Sequence, residues 1–358
     1  MVVGKGFPRN RLMSYRLVPY SVTWLDAVAR CNRRLTTSGS APFLLPEDVT
    51  KSGLIHREHW IAVSEDNEVH GGCMLQFQPA WIDGEVAQAI NIQSPLSEGF
   101  TDRRYATLAA WMLRELVHRY PFAYSVGMGG SQMPYPRLLK ALNWQLQLVP
   151  FYFRILAGRR FLQHMQPVRQ HPTLGTVARL GGAVPLLPDL AIALFQSWRT
   201  TTSRTLLQSP IPDWTRIRTR YGFAINRTPD ILDALYPVGD PRFCRLDVAG
   251  GMGVVSLSEF SGHKYFGDLR VATLVEALTE LGAEQALLSA ALQSARGLGA
   301  DLLLTNQTAP DLCTALSAAG WLSYSSNYLV GFAPALSAAI SGRPVYVTRG
   351  DGDGLLNL

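Results

Sequence analysis

The chain is predicted to be α/β, in the α+β sense, with two tandem domains, each a mixed, mainly antiparallel sheet flanked by helices. Three observations predict this. At 358 residues the chain exceeds one average domain and is comfortable as two. By hydrophobic period and punctuation, the first half runs β-α-β-β-β-α-β-α-β, and the second half repeats that order in looser form. The halves also share a local detail. A short helix ends at Asn143-Trp144 in one and at Gly320-Trp321 in the other, each followed by an apolar strand. The reading places a first domain at 1–156, a helical connector at 157–214, a second domain at 215–340 and a C-terminal tail at 341–358.

In the first half, Tyr15 to Pro19 is a strand-like start, and Trp24 to Leu35 has helical spacing with Leu25, Val28, Ala29 and Cys31 near one face. A Pro/Gly/Ser-rich loop follows from Thr36 to Gly53. Trp60 to Ser64 and His70 to Phe77 read as strands joined by the turn Glu65-Asp66-Asn67-Glu68, and Glu85 to Gln93 continues the meander. Tyr105 to Tyr120 is an amphipathic helix stopped by Pro121. Phe122 to Met128 is a strand, Pro136 to Leu142 a helix, and Gln145 to Leu156 a closing strand or pair of strands. A meander that ends in a β-α-β crossover admits few topologies. In the second half, Pro229 to Leu235 is a short helix, and Phe243 to Val248, Gly253 to Phe260 and Leu269 to Glu276 are strands. Ala283 to Leu298 is a helix, Asp301 to Gln307 a strand, Pro310 to Ala319 a helix, and Tyr324 to Phe332 closes the sheet.

The bulk composition narrows the function classes. Hydrophobic residues make up 47% and charged residues 17%, which supplies a core and argues against disorder. The formal charge of +6 suits an anionic ligand such as coenzyme phosphates, or an acidic membrane surface. The four cysteines, Cys31, Cys73, Cys244 and Cys313, have no CxxC spacing, so neither a disulfide framework nor a zinc site is expected, and a reducing, cytoplasmic compartment fits. The seven histidines form no HExxH; His56 and His59 read as surface residues rather than ligands, and no metal is expected. The N-terminus lacks the pattern of a signal peptide. Leu174 to Trp198 is apolar but carries Arg179 and Asp189 and is broken by Pro185 and Pro188. It reads as a buried or interdomain helix, with a peripheral membrane contact as the alternative, and not as a spanning helix. The tail from Thr348 to Gly354 alternates Asp and Gly but lacks the further acids of a calcium loop. It is expected to be flexible or to fold over an acceptor cleft.

The run Arg104-Tyr105-Ala106-Thr107-Leu108-Ala109, ahead of Ala110-Trp111-Met112-Leu113, lies between a strand and the central helix. The first turn of a helix has unpaired N–H donors and a positive dipole end, which suit an anion. An ordinary helix start with Asp102 near the N-cap is the plainer reading of the same residues. In this place in the element order, the run resembles the Arg/Gln-x-x-Gly-x-Gly/Ala loop of the GNAT (acyl-CoA N-acyltransferase) superfamily, with Thr107 at the first glycine position. The resemblance covers residues 14 to 156 and, more loosely, 215 to 334. It implies a coenzyme pyrophosphate held by the backbone of Arg103, Arg104, Tyr105, Ala106, Thr107, Leu108 and Ala109, with a strand N–H among Ile92, Gln93 and Ser94 as the oxyanion donor. It also implies a tyrosine on the short helix, and that position falls on Leu139 and on Leu316, so the family's general acid is absent there. In the second half the corresponding run, Leu281-Gly282-Ala283-Glu284-Gln285-Ala286, has no arginine and puts a glutamate where an anion would dock.

Acyl transfer from a thioester needs a base for the amine, a donor to the thioester oxygen and a proton for the leaving thiolate. Glu85 and Glu98 are the candidate bases, each also readable as a solvated surface acid. Tyr105 and Tyr135 are the candidate phenols, each also readable as packing. Thr305 and Asn306 are candidates to line an acceptor pocket, and Cys73 and Cys313 read as core residues. The expected function is an N-acyltransferase moving an acyl group from acyl-CoA, or from acyl carrier protein, to a small amine such as an amino sugar or amino acid. Acyl-CoA is then a co-substrate, and DNA is not an expected partner. The alternatives are a Fem-type aminoacyl-tRNA-dependent transferase and a non-catalytic binding protein with the same fold.

Overall fold

The computed structural model describes residues 14–38, 44–46, 56–166 and 212–352. The chain divides into two compact units, Met1–Phe77 with Ile90–Pro121, and Gln78–Ala89 with Phe122–Leu358.

In the first unit, β1 (Tyr15–Pro19) runs antiparallel to β2 (His56–Ser64), and β2 antiparallel to β3 (Val69–Ile82), which neighbours β4 (Glu85–Ser97); the end of β3 and the start of β4, Gln78–Ala89, count with the second unit. All three meander strands are longer than the sequence reading made them, and His56 and His59 lie inside β2. The turn after β2 places Asn67 at φ 61°, a conformation that Asn tolerates through its short polar side chain. Helix α1 (Leu25–Ser38) buries Ala27, Val28, Cys31 and Leu35 against Ile61, Val63, Val69 and Leu96. This is the i, i+4, i+8 stripe of an amphipathic helix, and full burial of a side chain such as Leu35 contributes roughly 1.5–3 kcal/mol. Leu25, expected on that face, is exposed. Helix α2 (Leu108–Arg119) buries Leu108, Met112, Leu113 and Leu116. It starts three residues after Tyr105, because Arg103–Tyr105 forms a separate 3₁₀ turn.

In the second unit, the strands expected to close each half are exchanged. β14 (Leu329–Phe332), from the end of the chain, lies between β5 (Ala123–Val126) and β6 (Gln145–Leu148), antiparallel to both. In return β7 (Phe151–Ile155) inserts between β12 (Leu302–Asn306) and β13 (Leu322–Tyr324). The stretches 145–156 and 324–332, each read as one closing feature, thus serve two sheets. The six-stranded sheet runs β13-β7-β12-β11-β10-β9, with β9 Phe243–Val248, β10 Gly251–Glu259 and β11 Arg270–Thr279. β8 (Phe223–Ile225) pairs with the end of β3 and, in parallel, with β15 (Val345–Tyr346). Helix α3 (Pro134–Ala141) precedes β6, and α4 (Gly158–His164) follows β7. Two short helices, α5 (Trp214–Arg218) and α6 (Pro229–Leu235), lead into β9.

β11 and β12 are parallel, joined through α7 (Glu284–Gly297), as a crossover connection requires. They pair only from Val271↔Leu302 to Thr273↔Leu304. Beyond that, a register shift against β10 leaves Val275 as an extra residue. The C-terminal segment packs there. Tyr346 donates its hydroxyl to Glu276 Oε1 (2.8 Å), and Gly350 lies so close to Val275 and Tyr236 that a Cβ would meet the Tyr236 hydroxyl. Arg227 sits at the centre, donating to Glu276 (3.0 Å), Asp351 (2.6 Å) and the Ile225 carbonyl (2.8 Å). Thr348 and Asp351 form a reciprocal capping box. Thr348 to Gly352 is thus ordered, and Thr348, Gly350 and Asp351 are buried, rather than forming a flexible tail. Residues 353–358 and the apolar stretch Leu174–Trp198 lie outside the described residues.

The shared detail at the two tryptophans is the same structure twice. After α3 and after α8 (Pro310–Ala318), each with proline in the first turn, Asn143 and Gly320 take φ 62° and 76°. Trp144 N–H then donates to Leu139 O, and Trp321 N–H to Leu316 O, both at 3.0 Å. This six-to-one bond with a left-handed residue before it is a Schellman ending. The chain closes with α9 (Pro334–Ala339) ahead of β15.

Candidate active site

β4 ends at Ser97, and the chain then makes two consecutive 3₁₀ turns, Glu98–Phe100 and Arg103–Tyr105, before α2 begins. Gly99 permits their close approach, since a Cβ there would lie 2.6 Å from the Tyr105 carbonyl. The turns carry Glu98 inward, 4% exposed, to meet His70 from the start of β3 and Arg34 from α1. His70 Nδ1 lies 2.6 Å from Glu98 Oε2, and His70 Nε2 lies 3.2 Å from Ser64 Oγ. Tyr105 stacks on the imidazole at 4.4 Å between centroids and 19° between planes, and Tyr15 meets it edge-on. Arg34 is held by all three of its nitrogens, on Glu98, on Glu68 (3.1 Å) and on the Val69 carbonyl (2.6 Å). Arg34, Glu68, His70, Glu98 and Tyr105, with Thr101, Asp102 and Arg104, line a cavity of about 320 Å³.

The electrostatics assign different tasks to these groups. Burial works against ionised Glu98, but hydrogen bonds from His70 and Arg34 outweigh it and hold the carboxyl below its usual range. A carboxylate so held is a poor base at neutral pH, and it fixes the ring of His70 instead. Burial, followed by the charge of Glu98, pushes the Tyr105 phenol up, so it keeps its proton as a donor.

The predicted residues fall into three groups. Glu98, Arg104 and Tyr105 converge on the cavity. Arg104 is exposed, but its guanidinium and its N–H both bond the carboxylate of Asp102 (Nη2···Oδ2 2.6 Å, N···Oδ1 2.9 Å), so an incoming anion competes with Asp102 for it. Asp102 caps the 3₁₀ turn rather than α2. Arg103, Ala106 and Thr107 are exposed, Ala109 is half-buried and Leu108 is buried. Thr107 makes no side-chain cap bond, which leaves the first-turn N–H groups of α2 without a side-chain acceptor from the N-cap. On β4, Ile92 and Gln93 are buried, while Ser94 is exposed at φ 47° and interrupts the extended backbone. Glu85 and Tyr135 belong to the second unit. Glu85 is exposed, and Tyr135 donates its hydroxyl to Ser125 Oγ at 3.1 Å.

The second half shows the counterpart. At the start of α7, Gly282 N–H donates to Glu284 Oε2 at 2.9 Å, so the chain's own carboxylate takes up a donor beside the helix start. Leu139 and Leu316, at the family's tyrosine position, are both fully buried packing residues. Thr305 is spent on the Leu274 carbonyl (2.8 Å), and Asn306 accepts from Arg349 (2.8 Å), so the C-terminal segment covers what was read as an acceptor lining. Cys73 is buried and Cys313 half-buried. Among the described residues no group of His, Cys, Asp and Glu is arranged to hold a metal, and no helix is long and apolar enough to cross a membrane.

His70, Arg34 and Ser64 were not found from the sequence. They are brought to Glu98 from separate elements, and no local spacing marks them.

No family model matches the chain, and no curated protein matches it. Among solved structures it is similar to Saccharomyces cerevisiae N-myristoyltransferase with bound myristoyl-CoA, at 10% identity and TM-score 0.45, over 89% of this chain and 82% of that one. It is also similar to a GCN5-related N-acetyltransferase from Anabaena variabilis, at 10% identity and TM-score 0.46, over 88% of this chain and 72% of that one. A further similar structure is a GCN5-related N-acetyltransferase from Kribbella flavida, at 13% identity and TM-score 0.45, over 91% and 74%.

Proposed function

We propose that the chain is an N-acyltransferase of the GNAT type, moving an acyl group from acyl-CoA or an acyl carrier to a small amine such as an amino sugar or amino acid. The observation that carries this reading is the junction of β4 and α2. An exposed arginine pair and the uncapped first turn of a helix stand beside a cavity that holds an oriented imidazole and a protonated phenol. The arginines and the first-turn N–H groups suit a pyrophosphate. His70, fixed through Nδ1 by Glu98, takes the amine's proton at Nε2 as the N–C bond forms; Tyr105 gives its proton to the thiolate as the C–S bond breaks, and the tyrosinate regains one from solvent as the imidazolium loses its own. Glu98 is then a positioning residue and not the base. In each half a carboxylate of the chain itself takes a loop N–H, Asp102 from Arg104 and Glu284 from Gly282, and the first half differs in presenting Arg103 and Arg104 beside its helix start.

The test is a thermal-shift titration with CoA, acetyl-CoA and a long-chain acyl-CoA on the wild type and Arg104→Ala. Ligand at a hundred times its dissociation constant adds about 2.7 kcal/mol. A shift in the wild type that the variant loses supports the reading, and no shift with any of the three refutes acyl-CoA as the donor and leaves the acyl carrier.

A further inference from the structure

Helix α1 carries Arg30, Arg33 and Arg34 within little more than one turn. Like charges at i, i+3 and i+4 destabilise a helix, and a favourable helix dipole does not account for them, since none lies in the last turn where that effect is felt. Glu68 answers two of the three: it pairs with Arg30 at 2.8 Å and Arg34 at 3.1 Å, while Glu98 also binds Arg34. These pairs tether the two side chains without burying them. The guanidinium of Arg33 is exposed and has no ion-pair or hydrogen-bond partner among the described residues. The three arginines, with Thr37 and Thr101, line an open groove of about 650 Å³, and among the described residues no carboxylate lines it. Thr101 also lines the cavity of His70 and Glu98, so the groove adjoins the junction of β4 and α2.

We infer that this groove is a binding site for a phosphate monoester, with Arg33 as its principal ligand and Arg30 and Arg34 as tethered flanking charges. The hydroxyls of Thr37 and Thr101 already donate to the carbonyls of Arg33 and Glu98, so the donors facing the groove are guanidinium N–H groups. Forks arriving from three positions on a helix suit a tetrahedral group with three terminal oxygens better than a planar carboxylate. Two sources of that group are compatible with the site: the 3′-phosphate of the coenzyme, or a phosphate carried by the acyl acceptor. Naming either source rests on the acyl-transfer reading; the phosphate site itself does not.

The experiment is calorimetric titration of the full chain with CoA, dephospho-CoA, glucosamine and glucosamine 6-phosphate. It uses the wild type, Arg33→Glu and the milder Arg33→Gln, with circular dichroism to confirm that the variants fold. If the coenzyme supplies the phosphate, CoA binds at least tenfold more tightly than dephospho-CoA, and Arg33→Glu abolishes the difference. If the acceptor supplies it, the two coenzymes bind alike, and glucosamine 6-phosphate binds at least tenfold more tightly than glucosamine, again only with Arg33 present. Binding of glucosamine 6-phosphate that needs Arg33, with neither coenzyme form binding, keeps the site and overturns the acyl-CoA reading. The inference is overturned if no probe gains from its phosphate monoester, or if that gain survives in both Arg33 variants.

Discussion

Arg227→Met is the most demanding test of the second unit. The Arg227 side chain is 1% exposed, between Glu276 at 0% and Asp351 at 3%. Burial alone would favour its neutral form, but the two carboxylates outweigh that and hold it charged. Methionine fills similar volume and removes only the charge and the donors. Two buried carboxylates then lose their partner, and removing one member of a buried ion pair costs about 3–5 kcal/mol. For a unit of this size, each kcal/mol moves the melting temperature by about 2–4 °C, which gives a fall of about 6–20 °C. The assay is thermal and urea unfolding at pH 7, each followed by circular dichroism. A second variant, Arg227→Met with Glu276→Gln and Asp351→Asn, removes the stranded charges and should recover much of the loss. A single variant within about 1 kcal/mol of the wild type, or a triple variant no more stable than the single, would refute the account of Arg227 as a buried counter-charge.

Three further outcomes are expected. Hydrogen bonds from Arg30 depress the carboxyl of Glu68, and those from His70 and Arg34 outweigh burial to depress that of Glu98. In acid the unfolded chain therefore binds more protons, and these groups' stabilisation is complete above an unfolded value of about 4.3 and is lost as pH falls through the lower folded values. Glu98→Gln should flatten the acid limb of a stability–pH curve measured by urea midpoints, and an unchanged limb would sink that assignment. Gly350→Ala forces a methyl against the Tyr236 hydroxyl and within 3.2 Å of the Val275 carbonyl, so it should cost about 1–3 kcal/mol in the same unfolding assay. Burial pushes the thiols of Cys31 and Cys73 up to about 12. Iodoacetamide at pH 8, read by peptide mass spectrometry, should therefore leave both unmodified in the native protein; rapid labelling of either would contradict their burial.

Local features were legible in the sequence because their causes are local. The turn Glu65 to Glu68, the stop at Pro121 and the paired endings at Trp144 and Trp321 depend on residues within a few positions of one another. Element ends were less so: Tyr105 has helical neighbours in sequence, yet the bond from its N–H to the Asp102 carbonyl belongs to a 3₁₀ turn. The site was half legible. Glu98, Arg104 and Tyr105 lie in one run, whereas Arg34 reaches Glu98 from 64 residues away and His70 from 28. Such convergence is set by packing of α1 on the sheet and leaves no periodic mark. The strand exchange was illegible for the same reason. Leu329–Phe332 reads as an apolar strand wherever it pairs, and only its neighbours in space decide which sheet it joins.

That exchange has a consequence for how the protein is made. The ribosome delivers Ala123–Val126 and Gln145–Leu148 long before Leu329–Phe332, the strand that bonds to both. For about half of translation these two edges wait with their ladder groups open on the side that β14 will fill, and they resemble templates for pairing with another chain. A nascent chain halted near residue 156 cannot complete its sheet, however well its helices form. Pairings so distant along the chain also close slowly, because their loop entropy is lost before any contact rewards it. Synthesis of this protein therefore passes through a long interval in which these two strands wait for the partner that lies between them.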